Sequence, residues 1–318
     1  MALDIVLLLV GMVLLVKGAD WFVSGSSAIA KALKIPPLII GLTLVSMGTS
    51  APEASVSIQS AVKGMNDLSI GNVVGSNIFN TLLILGISSL IVPLSIGKDI
   101  KRYDIPVMVC LYGVLLLFAF VITPLKLDIF ESVTMLVLFV AYTAFLIIRT
   151  KKTNNQLAVQ PPEDTKKKKK PLWLSIILAV VGLAGVIFGG NIVVVHASDI
   201  AKSLGMSEAL VGLTIVAVGT SLPELVTSVV ASIKKENDIA IGNVIGSNIF
   251  NIVFILGLSS TISNLTLDWA TLTDMLVMLG SGIIVLGIAL FSKKMQRWQG
   301  AVTLLLYIGY LTYIIIRN

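Results

Sequence analysis

Residues 41–91 read GLTLVSMGTSAPEASVSIQSAVKGMNDLSIGNVVGSNIFNTLLILGISSLI, and residues 212–262 read GLTIVAVGTSLPELVTSVVASIKKENDIAIGNVIGSNIFNIVFILGLSSTI. The two stretches align without a gap at a constant offset of 171, and 29 of their 51 positions are identical. That degree of self-similarity marks an internal repeat. Leu, Ile and Val drift between the copies, whereas Thr49 and Thr220, Ser50 and Ser221, Glu53 and Glu224, and Asn80 and Asn251 are retained. Packing against lipid would produce the opposite pattern, so the retained polar residues point to a site.

The medium follows from composition. Of 318 residues, 56% are hydrophobic and 13% charged, with a mean hydropathy of +0.98. A soluble domain carries about 25% charge. Such a chain belongs in a lipid bilayer, which it can cross only as helices that satisfy their own backbone hydrogen bonds. Polar breaks predict about ten spans, at 3–23, 36–62, 70–93, 104–122, 128–148, 172–195, 208–233, 240–262, 271–291 and 298–316. The first lacks a basic leader and reads as a retained helix. Alternate loops differ sharply in charge. One set holds 18 Lys and Arg residues, among them Lys166 to Lys170, and the other holds 4. The positive-inside rule places the first set in the cytoplasm of a plasma-membrane protein, with both termini outside. The net charge of +6 is therefore topological and indicates no nucleic-acid partner.

Each repeat copy occupies the second and third helices of a five-helix half. Five is odd, so the copies enter the membrane from opposite sides. The expected fold is an all-α membrane protein of two inverted five-helix repeats, with its site near the midplane where the halves meet. The boundaries read as 1–149 for the first half, 150–171 for a cytoplasmic linker and 172–318 for the second half.

The motifs suggest what the site holds. In Gly48-Thr49-Ser50-Ala51-Pro52-Glu53 and Gly219-Thr220-Ser221-Leu222-Pro223-Glu224, the proline has no N–H to return to the glycine carbonyl four residues earlier. An opened helix offers carbonyls and hydroxyls beside a carboxylate, and hard cations such as Ca2+ and Na+ bind oxygens of this kind. Two glutamates balance one Ca2+ or two monovalent ions. In the second motif, Gly71 and Gly75, like Gly242 and Gly246, have the spacing of close helix contacts. Ser76 and Asn80, like Ser247 and Asn251, share a helix face as neutral oxygen ligands or as interhelical hydrogen-bond partners. Asn77 and Asn248 point elsewhere and read as structural.

These paired motifs resemble those of the calcium/cation antiporter superfamily, specifically the microbial sodium/calcium exchangers. The resemblance runs over nearly the whole chain. It implies four clustered cation sites among the second, third, seventh and eighth helices. Glu53 and Glu224 would be central ligands, with the carbonyls of Thr49 and Thr220 completing the Ca2+ site. Ser50, Ser76, Ser221 and Ser247, with the carbonyls of Ser46 and Ala217, would serve flanking Na+ sites, and Asn80 and Asn251 the middle. The first and sixth helices would slide across this core. Asn251 stands where some relatives, including the potassium-dependent branch, have Asp, which argues by resemblance against K+ transport. Ser46 stands where Ala is common.

The expected function is Ca2+/Na+ antiport by alternating access. Ca2+/H+ antiport and a cation channel remain as alternatives. The chain lacks a His-Glu-x-x-His helix and a nucleophile elbow, so no enzyme is expected. No cofactor or obligate protein partner is expected either. His196 is the only histidine and Cys110 the only cysteine, so neither a His-rich metal site nor an internal disulfide can form. Lys17 and Asp20 read as a mutual pair or a snorkelling pair, His196 as structural, and Asp128, Glu131, Asp268 and Asp274 as interfacial charges.

Overall fold

The computed structural model describes residues 2–157, 171–204 and 217–317, and nearly all of them are helical. In chain order the helices are α1 (Ala2–Leu33), α2 (Pro37–Thr49), α3 (Ala51–Val62), α4 (Asn66–Ile91), α5 (Ile100–Ile122), α6 (Ile129–Leu157), α7 (Leu172–Ser203), α8 (Ala217–Thr220), α9 (Leu222–Ile233), α10 (Asn237–Ile262), α11 (Trp269–Phe291) and α12 (Arg297–Arg317). Eight are long and apolar enough to span a bilayer. The shorter α2–α3 and α8–α9 are the two halves of the spans that carry the Gly-Thr-Ser-x-Pro-Glu motif. The first part of the seventh predicted span, residues 208–216, lies outside the described residues, as does most of the predicted linker. Within 150–157 the chain continues α6 as helix.

The breaks lie where the prolines place them. Ser50 and Ser221 leave helical geometry, with ψ of 7° and 4°, and the helix restarts with Pro52 and Pro223 in its first turn. Proline costs nothing there, because first-turn N–H groups have no helical partner. A second irregularity recurs in both halves. Single π-helical turns at Phe79–Ile84 and Asn251–Leu256 interrupt α4 and α10. Such turns re-aim side chains and concentrate at functional sites.

α4 and α10 form the centre. The most apolar window of α10 is 94% buried and that of α4 is 72%, whereas those of α1, α6, α7 and α12 are 22–28% buried. The outer helices turn Leu, Ile, Val and Phe toward lipid. Trp173, Trp269 and Trp298 are exposed at helix starts, the level favoured by tryptophan at the membrane interface. Two small antiparallel pairings tie the halves together. β1 (Leu94–Ser95) pairs with β4 (Lys294–Met295), and β2 (Lys126–Leu127) with β3 (Leu265–Thr266). Each strand thus takes its partner from the other half.

α1 and α7 interlock through glycines. A Cβ at Gly18 would lie 2.6 Å from the Val186 nitrogen, one at Gly25 2.5 Å from Ala179 N, and one at Gly189 2.5 Å from Leu15 N. Only glycine permits backbones this close. The pair lies against the broken helices, where Gly48 meets Leu183 and Gly219 meets Val194.

The charged residues singled out in the sequence take definite partners. Asp20 pairs with Lys234 at 2.7 Å rather than with Lys17, because α1 carries it to the α9–α10 turn. Glu131 is buried instead of interfacial, accepting from the Thr123 hydroxyl at 2.9 Å and the Asp128 N–H at 3.0 Å. Asp274 is clamped by both terminal nitrogens of Arg317 at 3.0 Å. Asp268 caps α11 by accepting from Thr271 N at 2.7 Å, and the Thr271 side chain, then this backbone contact, holds its carboxyl below the usual range. His196 Nδ1 lies 3.1 Å from Asp4 Oδ1, joining α1 to α7.

Candidate cation site

The two broken helices cross at the centre so that each carboxylate meets the other half's serine. Ser50 Oγ donates to Glu224 Oε1 at 2.8 Å, and Ser221 Oγ donates to Glu53 Oε1 at 2.8 Å. Glu53, Glu224, Ser50 and Ser221 are all buried. The break produces this arrangement: with the helix opened at Ser50 or Ser221, the serine points across the gap while the glutamate occupies the new first turn. Ser76 Oγ lies 3.1 Å from Ser221 Oγ. On the other side Ser247 Oγ donates to the Ser46 carbonyl at 3.4 Å.

Two asparagine pairs link α4 to α10. Asn80 Nδ2 donates to Asn248 Oδ1 at 3.1 Å, and Asn251 Nδ2 donates to Asn77 Oδ1 at 3.4 Å. Both bonds cross between halves, so Asn77 and Asn248 do not point elsewhere. Each lies three positions before its Asn80-type neighbour, an i, i+3 spacing that places them on a shared face. Asn248 Nδ2 also donates to the Thr81 hydroxyl at 2.8 Å.

Counting donors against acceptors exposes the chemistry. Among the described residues, Glu53 Oε2, Glu224 Oε2, Asn80 Oδ1 and Asn251 Oδ1 are buried oxygens without a hydrogen-bond partner. These four oxygens form two symmetry-related pairs of acceptors, and Asn77 Nδ2 is an unpartnered donor in the same asparagine cluster. A buried acceptor left unsatisfied costs about 1–3 kcal/mol, more when charged. Two such oxygens on the broken helices and two on the π-turns of α4 and α10 suit a cation held by hard oxygens.

The other predicted residues fall around this centre. Thr49 and Thr220 end α2 and α8, one residue before each break. Ala217 begins α8. Gly242 and Gly246 lie against the backbones of Gly41 and Leu42, where added Cβ atoms would come within 3.0 and 2.7 Å. No described atom comes within 4 Å of a Cβ at Gly71 or Gly75. Sequence reasoning missed a buried ion pair: Arg149 of α6 grips both oxygens of Asp104 on α5 at 3.0 Å. The signal was present as an Asp inside a predicted apolar span, the fourth.

Comparison with known proteins identifies the family. The family model described as sodium/calcium exchanger protein matches residues 3–148 and 174–316. The chain is 32% identical over 346 residues to the sodium/calcium exchanger MaX1 of Methanosarcina acetivorans, covering 97% of each. It is 39% identical over 272 residues to the inner membrane protein YrbG of Escherichia coli, covering 83% of this chain and 81% of that one. The sodium-calcium exchanger NCX_Mj, in a structure soaked with zero Na+ and Ca2+, superposes with a TM-score of 0.86 at 31% identity, over 98% of this chain and 99% of that one. A multi-pass membrane protein of inverted repeats, with paired carboxylates at its core, this chain belongs to the sodium/calcium exchanger family of antiporters.

Proposed function

We propose that the protein exchanges Ca2+ for Na+ across the plasma membrane by alternating access, with Glu53 and Glu224 as the ligands shared by both ions. The observation that carries this reading is the set of four unsatisfied buried oxygens. Two carboxylates match the charge of one Ca2+ or of two Na+, so either load neutralises the site. An empty site would present two buried like charges to the membrane interior, which is costly. Loaded states cross and the empty state resists crossing, which makes exchange obligatory and separates this reading from a channel. The Thr49 and Thr220 carbonyls complete the Ca2+ shell. Ser50, Ser76, Ser221 and Ser247, with the Ser46 and Ala217 carbonyls, flank it for Na+, and Asn80 and Asn251 occupy the middle. The first half spans 1–149 and the second 172–318, joined by a cytoplasmic linker, and both termini are outside.

The test is Ca2+ uptake into vesicles holding purified protein and loaded with Na+, then diluted into Na+-free buffer. Uptake is expected to require the Na+ gradient and to fall at least about a hundredfold in Glu53→Gln and Glu224→Gln, since losing a residue that merely orients a metal ligand already costs about 10–100-fold. Uptake driven by a pH gradient and indifferent to Na+ would make the proton the counter-ion. Uptake that needs no counter-ion on the far side would identify a channel.

A further inference from the structure

Asn72 and Asn243 stand outside the oxygen set described above, yet each links its own helix to two others. Asn243, fully buried on α10, directs Nδ2 to the Glu224 carbonyl at 3.4 Å and to Ser228 Oγ at 2.9 Å. Its Oδ1 accepts from the Thr49 hydroxyl of the other half at 3.0 Å. Asn72 on α4 repeats the pattern. Its Nδ2 donates to the Glu53 carbonyl at 3.2 Å and to Ser57 Oγ at 2.9 Å, and its Oδ1 accepts from the Thr220 hydroxyl at 3.4 Å. The amide orientation is dictated by its partners, because a carbonyl can only accept and must face the NH2 group. The Thr49 hydroxyl also has the Val45 and Ser46 carbonyls at 3.1 and 3.3 Å. Across the halves its neighbours are Asn243 and the Glu224 carboxylate, so the hydroxyl lies between the amide and the ligand that the amide's other end holds.

Each bridge joins the threonine of one broken helix to the glutamate backbone of the other. We propose that Asn72 and Asn243 are positioning residues that set the gap between Thr49 and Glu224 and between Thr220 and Glu53, and through it the affinity for Ca2+, without touching the ion. The inference rests on the function proposed above. A short amide side chain has two rotatable bonds, and here both of its ends are held, so it acts as a strut of fixed length. Ca2+–oxygen distances fall within a window of a few tenths of an ångström. Letting one ligand drift weakens Ca2+ binding while the carboxylates and their charge remain. The same geometry occurs twice, once in each half, on residues that share no partner.

Purified wild type, Asn72→Ala, Asn243→Ala, Thr49→Val and the Thr49→Val/Asn243→Ala double variant would be reconstituted. Na+-driven Ca2+ uptake would be read as KM and maximal rate, with a melting curve for each protein. Each asparagine variant is expected to raise KM for Ca2+ about tenfold, the usual cost of losing a partner that orients a metal ligand. The maximal rate should change far less. Thr49→Val should add little in the Asn243→Ala background, so the double variant falls short of the product of the single effects by at least about threefold. Ser228→Ala, which removes one partner of the same amide, should raise KM in the same direction, and it tests the strut if Asn243→Ala does not fold. An unchanged KM in folded variants, with only a lower melting temperature, would reduce the bridges to ordinary interhelical bonds and overturn the inference. Multiplicative effects of Thr49→Val and Asn243→Ala would overturn it equally. Failure of the wild type to exchange Ca2+ for Na+ would instead overturn the proposed function.

Discussion

Ser50 and Ser221 show how much one hydroxyl carries at the residue scale. Each donates to the other half's glutamate at 2.8 Å. A hydrogen bond to a charged group is worth about 1.5–3 kcal/mol, enough to fix the direction of a carboxylate that has only one other oxygen to offer. Ser50→Ala and Ser221→Ala should each raise the Na+ concentration needed for half-maximal exchange by about tenfold, the cost of one such bond. Titrating Na+ against uptake measures this, and an unchanged Na+ dependence would contradict the role. Asp268 makes a different residue-scale case. Its carboxyl is held below the usual range by Thr271, so the stabilisation is present above the ordinary carboxylate pKa and is lost as pH falls through the lowered one. Asp268→Ala should cost about 1 kcal/mol, the value of an N-cap. The deficit relative to wild type should shrink in acid, as melting curves at several pH values would reveal.

At the scale of elements, the glycine interlock makes α1 and α7 behave as one body. Gly18→Leu would drive a side chain into the Val186 backbone 2.6 Å away, and neither helix can yield without parting from the other. The expected outcome is loss of monodisperse protein on size-exclusion chromatography. The pair's inner end is tied to the core by Lys234, which contacts Asp20 at 2.7 Å and Ser24 at 2.5 Å, and by Ser27, which donates to Glu236 at 2.6 Å. The repeat does not preserve this tie: at the positions 171 earlier than Glu236 and later than Asp20 stand Met65 and Asn191. Lys234→Ala combined with Glu236→Gln should free the C-terminal end of α1. A cysteine placed at Ala28, which lies beside this contact, should then react faster with a membrane-permeant thiol reagent. An unchanged rate would mean the tie does not restrain α1.

For the whole molecule, the orientation rests on charge. With 18 Lys and Arg in one set of loops against 4 in the other, a cysteine introduced into the Lys166–Lys170 run should be modified only from the cytoplasmic side of sealed cells. Labelling from outside would invert the topology. The crossed strand pairs and the Asp104–Arg149 pair, with Asp104 wholly buried, brace the structure at a distance from the site. Arg149→Ala would leave a buried charge unpaired and should cost about 3–5 kcal/mol, read as a lower melting temperature with the Ca2+ KM of the remaining folded protein unchanged.

The amino-acid sequence by itself determined the medium, the inverted halves and the motifs, because these are linear properties: hydropathy, an odd number of spans per repeat, and a polar pattern kept at an offset of 171. The break at each Pro-Glu was equally legible, since proline removes a specific hydrogen bond. The tertiary structure alone decided which atoms meet. Ser50 pairs with Glu224 rather than with its own half's Glu53, Asn77 and Asn248 turn inward, Asp20 leaves Lys17 for Lys234, and Asn72 and Asn243 become bridges. Each of these contacts between the halves joins residues at least 148 apart, with distances set by how two five-helix halves cross. Periodicity places a residue on a face of its own helix, but it carries no information about the face that will lie opposite.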